Sequence, residues 1–203
     1  MIRNIIFDMG GVLMDWNPAK LLEQRNVLGE DHDTMMRELF HETEWIAVDH
    51  GVMSEQQAVD SVCARLPQRL KPVAEDIILN WWKTPFDDMP GMEELIHALK
   101  KNGYMIYLLS NASLRQAEYF DRLPASECFS GRITSAEVRM LKPQADIYAL
   151  CLETFGLAAE ECVFIDDSSM NVHAARMAGY SGIVYHGDTE RLIEKLRGLG
   201  VRI

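Results

Sequence analysis

The sequence predicts a doubly wound α/β domain, a parallel sheet with helices on both faces, with a helical cap inserted after the first strand. Three observations predict it. Short, continuously apolar runs end abruptly in polar residues. From residue 90 to the C-terminus these runs alternate with amphipathic helical stripes that stop at glycines. Between residues 17 and 87 there are helical stripes and prolines but no strand signal. A strand that is apolar on both faces is one buried on both faces, the mark of a parallel sheet covered by helices.

Asn4 to Phe7 is the first such run, and Asp8-Met9-Gly10-Gly11 follows it with turn chemistry. Tyr104 to Leu109 repeats the pattern and ends at Ser110-Asn111. Cys162 to Ile165 ends at Asp166-Asp167. Gly182 to Tyr185 is a fourth strand, and Phe129 to Ile133 a shorter one. The intervening stripes are Met92, Leu95, Ile96 and Leu99 ahead of Gly103; Ile147, Leu150, Cys151 and Thr154 ahead of Gly156; Val172, Ala175 and Ala178 ahead of Gly179; and Leu192, Ile193, Leu196 and Leu199. Inside the insert, Met35, Met36, Leu39 and Phe40 mark one helix, Ala58 to Leu66 a second, and Ala74, Ile77, Ile78, Trp81 and Trp82 a third. Pro67, Pro72 and Pro85 punctuate them. The expected organisation is a core of residues 1–15 and 88–203 and a cap of residues 16–87, with hinges near Asp15-Trp16 and Phe86-Asp87.

Composition narrows the function. The 203 residues are 48% hydrophobic and 25% charged, which fits a packed globular chain and not a disordered one. The formal net charge of −11 repels nucleic acid and anionic lipid, so neither is expected as a partner. Cys63, Cys128, Cys151 and Cys162 form no CxxC pair and no zinc-type cluster, and are expected as reduced thiols. The first apolar run is too short for a signal peptide or a membrane span, so the expectation is a cytoplasmic protein, monomer or homodimer.

The polar groups that end three strands carry the chemistry. In a parallel sheet the carboxyl ends of all strands face one crevice, where such sheets bind ligands. Asp8 at one strand end and Asp166-Asp167 at another can share a divalent cation, and an all-oxygen donor set favours Mg²⁺. Such an ion brings a phosphate dianion up to an acidic site.

Four motifs occur in order: Phe7-Asp8-Met9-Gly10-Gly11-Val12, Leu108-Leu109-Ser110-Asn111, Leu141-Lys142-Pro143, and Phe164-Ile165-Asp166-Asp167-Ser168-Ser169-Met170-Asn171. Together they resemble the haloacid dehalogenase-like superfamily, a Rossmann-like fold, and the helical insert lies where that family carries its first type of cap. The resemblance implies a phosphohydrolase in which Asp8 attacks phosphorus and becomes an aspartyl phosphate. It implies that Ser110, with Asn111, binds a phosphoryl oxygen, and that Lys142 neutralises Asp8 and the transferring group. Asp8, the Gly10 carbonyl and Asp167 would hold Mg²⁺, with Asp166 acting directly or through water. Asn171, one helical turn past Asp167, would orient that shell.

One position departs from the pattern. The family's second aspartate, two residues after the nucleophile, protonates the leaving group and then activates water; here it is Gly10. An Asp-x-Gly-x-Val motif also resembles a subgroup that includes bacterial glucose-1-phosphate phosphatase, and the chain is similar as well to the N-terminal phosphatase domain of epoxide hydrolases. Without that acid, esters with good leaving groups, such as anomeric or aryl phosphates, should be favoured over primary ones. Asp15 or a cap residue is a candidate substitute.

The cap is expected to choose the substrate through His41-Glu42-Thr43-Glu44-Trp45 and Asp49-His50-Gly51. Trp45 would stack on a sugar face, and Glu44 or His50 would bond hydroxyls. Met35, Met36, Trp81 and Trp82 are read as cap core, and His32, His97, His173 and His186 as structural or surface residues. The leading expectation is therefore a Mg²⁺-dependent phosphatase acting on a small phosphorylated metabolite, a sugar phosphate foremost. Two alternatives stay open: a binding or regulatory module left weak by Gly10, and a dehalogenase, which would leave Asp166-Asp167 without a task.

Overall fold

A computed structural model describes all residues, 1–203. In chain order it contains β1 (Asn4–Phe7), α1 (Pro18–Glu23), α2 (Glu30–Met35), α3 (Thr43–Asp49), α4 (Glu55–Arg65), α5 (Lys71–Asn80), α6 (Met92–Lys101), β2 (Met105–Ser110), α7 (Gln116–Tyr119), β3 (Gly131–Thr134), α8 (Ser135–Val138), α9 (Ala145–Phe155), β4 (Cys162–Asp166), α10 (Ser169–Met177), β5 (Ser181–Val184) and α11 (Thr189–Gly198). The five strands form one sheet in the order β3-β2-β1-β4-β5, and every pairing is parallel. The chain lays β2 and β3 on one side of β1, then crosses back to lay β4 and β5 on the other. The sheet is thus doubly wound, and its strand order reverses at the β1–β4 boundary.

Alternation along the strands sorts the core into two layers. Ile5, Phe7, Ile106, Leu108, Val163 and Ile165 pack beneath α6 and α11, against Leu95, Ile96, Leu99, Leu192 and Leu196. Ile6, Tyr107, Leu109, Cys162 and Phe164 face α9 and α10, against Ile147, Tyr148, Cys151 and Ala175. Because successive strand residues point to opposite faces, one apolar run supplies both layers.

The helices α1 to α5 enclose a third cluster, in which Leu22, Leu39, Val62, Ala74 and Ile77 are almost wholly buried. Asn17 caps α1, with Pro18 in its first turn, and Ser54 and Gln57 form a reciprocal capping box on α4. The two chain crossings between the helical region and the sheet run side by side. The Asp15 N–H donates to the Asp87 carbonyl (2.8 Å), the Met89 N–H to that of Leu13 (2.9 Å), and Lys20 forms ion pairs with both Asp15 and Asp87.

Several elements differ from the sequence reading: α1, α3, α7 and α8 leave no stripe in it, and Met36–Phe40 continues α2 as a wider π turn. Residues 43–49 form a helix, α3, which the apolar spacing does not reveal because only one of its faces is covered. The third cap helix stops at Asn80, and Trp81–Lys83 forms a tighter 3₁₀ turn. Trp81 still packs on the cluster of Ala74, Ile77 and Ile78, whereas Trp82, read as cap core, packs against the sheet-side core instead. The four cysteines are free thiols, with Cys63 half-buried and the others buried. No helix is long and apolar enough to cross a membrane.

Ile77 is fully buried in the helical cluster. Ile77→Ala is expected to cost about 2–5 kcal/mol through lost transfer energy and the cavity left behind, read as a lowered midpoint in urea unfolding.

Candidate active site

Register builds the site. Phe7 pairs with Ile165, so the next residues, Asp8 and Asp166, emerge side by side at the reversal of strand order. The Asp8 N–H closes the ladder on the Ile165 carbonyl (2.8 Å). Opposite them lies Lys142, whose Nζ is 2.7 Å from Asp8 Oδ1 and 2.7 Å from Asp166 Oδ2. Its side chain is 1% exposed.

Each member is fixed by a neighbour. Asn111 clamps the Lys142 peptide from both sides: its Nδ2 donates to the Lys142 carbonyl (2.9 Å), and its Oδ1 accepts from the Lys142 N–H (2.9 Å). Asp166 is fully buried and saturated. Besides Lys142 it accepts from the Ser168 N–H (2.8 Å) and from Asn171 Nδ2 at 3.1 and 3.0 Å on its two oxygens. Asn171 reaches Asp166 because Ser168 caps α10 and sets its first turn toward the strand end.

Asp8, Asp166 and Asp167 bring carboxylate oxygens within 4.8 Å of one another. Burial pushes the Asp8 carboxyl well above the usual range; Lys142 opposes the shift and Asp166 adds to it. Burial, then the neighbouring Asp166, raises Asp167 as well. Burial alone would lower Lys142, but the attraction of Asp8 and Asp166 holds it above an ordinary lysine. Three carboxyls against one ammonium leave an excess of negative charge. An all-oxygen set of this kind fits a hard divalent cation, which would supply the missing positive charge.

Glycines let these groups approach. Gly11 has φ +72°, and a Cβ there would lie 2.5 Å from Asp167 Oδ2. At Gly10 a Cβ would lie 3.2 Å from the Cβ of Trp16, so the tryptophan occupies the space beside that position.

The strand-end residues open into a cavity of about 200 Å³. Asp8, Gly10, Asn111, Lys142, Asp167 and Asn171 line its floor, and Trp16, Trp45, Asp49 and Trp81 line its roof. Trp16 lies 4.7 Å from Trp81 and 5.4 Å from Trp45, centroid to centroid, making a continuous aromatic wall. Trp45 and Asp49 are four residues apart on α3 and so share the face turned to the floor.

The structure brings Asp8, Gly10, Asn111, Lys142, Asp167, Asn171 and Trp45 to one cavity, with Asp166 directly behind. Ser110 ends β2, is 1% exposed, and is not part of the cavity wall. Further placements bear on the sequence reading. The Asn111 amide spends one N–H and one lone pair on the Lys142 peptide while the residue lines the cavity. Glu44 does not face the cavity: it is buried against Arg65 and Ser61, and the Arg65 guanidinium holds its carboxyl down to about 2. His50 Nε2 lies 3.1 Å from the Arg139 carbonyl, outside the cavity. Trp81, read as cap core, packs on that core and also lines the roof. Asp15 is also outside the cavity, paired with Lys20. Tyr119 and Ser113 line the cavity unforeseen. Tyr119 lies on the four-residue α7, too short to leave a periodic signal, and its buried hydroxyl has no hydrogen-bond partner.

A family model for haloacid dehalogenase-like hydrolases matches residues 2–179. Among characterised relatives, the phosphorylated carbohydrates phosphatase of Thermotoga maritima is 26% identical over 94% of this chain and 89% of its own. The sesquiterpene phosphatase of Aspergillus oryzae is 28% identical over 88% of this chain and 87% of its own. The drimenol cyclase of Aspergillus calidoustus is 26% identical over 94% of this chain, which spans only 35% of that protein's length. Among solved structures, a HAD-like hydrolase from Porphyromonas gingivalis superposes with a TM-score of 0.73 at 23% identity, over 98% of both chains. A Bacteroides thetaiotaomicron enzyme of the same family, in complex with magnesium and inorganic phosphate, has a TM-score of 0.69 at 20% identity, over 95% of this chain and 99% of that one.

Asn111→Ala is expected to lower stability by about 1–3 kcal/mol in urea unfolding, because it leaves the Lys142 N–H and carbonyl without partners. Turnover should fall with it, since the Lys142 peptide loses its anchor.

Proposed function

Because the chain belongs to the haloacid dehalogenase-like hydrolases and is a phosphatase of that family, we propose that it hydrolyses a small phosphorylated metabolite, a sugar phosphate foremost, through an aspartyl phosphate on Asp8 with Mg²⁺ as cofactor. The observation that carries this reading is Lys142 held 2.7 Å from both Asp8 and Asp166 in a buried, acid-rich site. Lys142 opposes the upward push of burial on Asp8 and faces the oxygens of the transferring group, where charge develops. With the charge of a bound cation added to that of Lys142, Asp8 would attack phosphorus as a carboxylate.

Asp8, Asp167 and the Gly10 carbonyl would hold Mg²⁺ directly. Asp166, its oxygens already accepting hydrogen bonds from protein donors, would act through water. When bound, the ion would offset the carboxylate charge and present the phosphate to Asp8. Asn111 lines the cavity and holds the Lys142 peptide, Ser110 sits behind it at the end of β2, and Asn171 orients Asp166. The aromatic roof favours a substrate with a flat apolar face, and a sugar ring offers one. The carbohydrate phosphatase of Thermotoga maritima and the fructose-1-phosphate phosphatase of Escherichia coli support that class. The paired crossings at Asp15 and Asp87 would serve as the hinge on which the roof opens.

Phosphate release from a panel of sugar, nucleotide and aryl phosphates, with and without Mg²⁺, tests this reading. EDTA should abolish activity and Mg²⁺ restore it. Asp8→Asn should remove nearly all turnover, and Lys142→Ala should be severe. An active Asp8→Asn enzyme would sink the covalent route. Gly11→Ala forces a methyl onto the Asp167 carboxyl, so the Mg²⁺ concentration for half-maximal activity should rise by at least about tenfold, given what disturbing a ligand's support typically costs. An unchanged Mg²⁺ dependence would remove Asp167 from the metal set.

A further inference from the structure

The missing family acid at Gly10 leaves a chemical gap: an alkoxide leaving group needs a proton, and the water that later attacks phosphorus must lose one. Three carboxyls line the cavity: Asp8, Asp167 and Asp49. The first two belong to the acidic cluster beneath the phosphate position, which leaves Asp49 on the opposite, leaving-group side. We propose that Asp49, carried by cap helix α3, is the general acid and base of this enzyme and takes over the role vacated at Gly10. The assignment rests on the phosphatase reading above.

The backbone around Asp49 is clamped to the core. The Ser135 hydroxyl donates to the Asp49 carbonyl while accepting from the Ala112 N–H (2.9 Å), so one side chain ties α3 to the strand that ends in Ser110. His50, the next residue, contacts the Arg139 carbonyl at 3.1 Å. Gly51, at φ +72°, lies so near α8 that a Cβ would come within 2.4 Å of the Ala136 carbonyl. Three successive cap residues thus rest on the core beside the cavity, which fixes the height of the Asp49 carboxyl over the floor. A proton donor has to be held in this way, since its reach is one hydrogen bond.

The surroundings also suit the task. Burial pushes the Asp49 carboxyl up to about 7, opposed only by the Ser113 backbone N–H. A carboxyl of that acidity is protonated for the first step and ionised for the second near neutral pH. The titratable groups around it are Asp8, Lys142, Asp167 and Tyr119 across the cavity, and Glu44 and Glu55 behind it on the cap side. Burial raises the Tyr119 hydroxyl, and the Asp49 charge raises it further, so Tyr119 stays neutral and can donate to Asp49 or to the substrate.

The steps balance. In the first, Asp8 Oδ bonds to phosphorus, the bond from phosphorus to the leaving oxygen breaks, and that oxygen takes the Asp49 proton to depart as an alcohol. In the second, ionised Asp49 takes a proton from water, the water oxygen bonds to phosphorus, and the acyl phosphate bond breaks. Inorganic phosphate leaves, with Asp8 ionised and Asp49 protonated again.

The test is Asp49→Asn in the full chain with Mg²⁺, assayed on a primary sugar 6-phosphate and on p-nitrophenyl phosphate. For the primary ester kcat/KM should fall ~10²–10⁴-fold, the usual worth of a general acid. The rate of p-nitrophenolate formation in the first turnover should change far less, because that leaving group needs no proton. The second step still lacks its base, so the variant should give a burst of p-nitrophenolate and accumulate phosphorylated protein, visible by intact mass. Asp49→Glu should recover part of the activity. Wild-type kcat/KM for the primary ester should fall above about pH 7 as Asp49 ionises, and the variant should lack that limb. A raised carboxyl pKa means the folded state binds more protons than the unfolded one, so Asp49 lowers stability as pH rises through that range. Asp49→Asn should therefore gain Tm relative to wild type at pH 8 compared with pH 5. Should the variant not fold, wild type alone decides: its dependence on leaving-group acidity should be shallow below pH 7 and steep above. Equal losses on both esters with no burst, or in wild type a dependence that does not change with pH, would overturn the assignment alone. An Asp8→Asn enzyme as active as wild type would overturn the phosphatase reading and the Asp49 assignment with it.

Discussion

The structure depends on one buried ion cluster, Lys142 between Asp8 and Asp166. Removing an ammonium and two carboxylates from water is costly, and their mutual attraction repays it only when the geometry is held and the remaining lone pairs are satisfied. The neighbours do this. Asn111 fixes the Lys142 peptide, while Asn171 and the Ser168 N–H saturate Asp166. The loop at Lys142, the ends of β1, β2 and β4 and the first turn of α10 are thereby tied to one point. None of these elements can move without stranding a buried charge. A cluster so organised is better understood as a device for position than as a source of stability.

That cluster also explains the polarity of the site. One ammonium serves three carboxyls, so the floor is short of positive charge and Asp8 is raised by its surroundings. A dianionic ligand enters such a floor only with a cation. The same shortage makes Gly11 matter: its left-handed backbone and missing side chain let Asp167 close on the cluster.

The roof follows a different logic. Helices α1 to α5 carry their own apolar cluster, so the surface they turn to the cavity is free of the packing that fixes the sheet. Trp16, Trp45 and Trp81 supply an apolar wall, and Asp49 is the one ionisable group the cap contributes to the cavity. Trp16 also fills the space beside Gly10, so the loss of one side chain on the floor and the gain of an aromatic on the roof are two sides of the same packing. Ser135, His50 and Gly51 join roof to floor beside the cavity.

The sequence by itself determined the sheet and the floor. Strands buried on both faces must be continuously apolar, and their ends must turn polar, so Asp8, Ser110 and Asp166 could be located from short runs alone. Parallel strands then bring those ends together without further information. Strand limits moved by only a residue or two, as at β2 and β5. Tertiary structure alone decided the roof. Glu44 and Asp49 are both acidic residues of one short helix, yet Glu44 turns to Arg65 and Asp49 to the cavity, because a helix rotates each successive side chain by about 100° and nothing in the sequence marks which face meets the core. Trp82 left the helical stripe through a change of pitch at Asn80 that no apolar pattern encodes. Tyr119 came to the site on a four-residue turn. Each of these placements rests on contacts between residues distant in the chain, and local periodicity carries no record of such contacts.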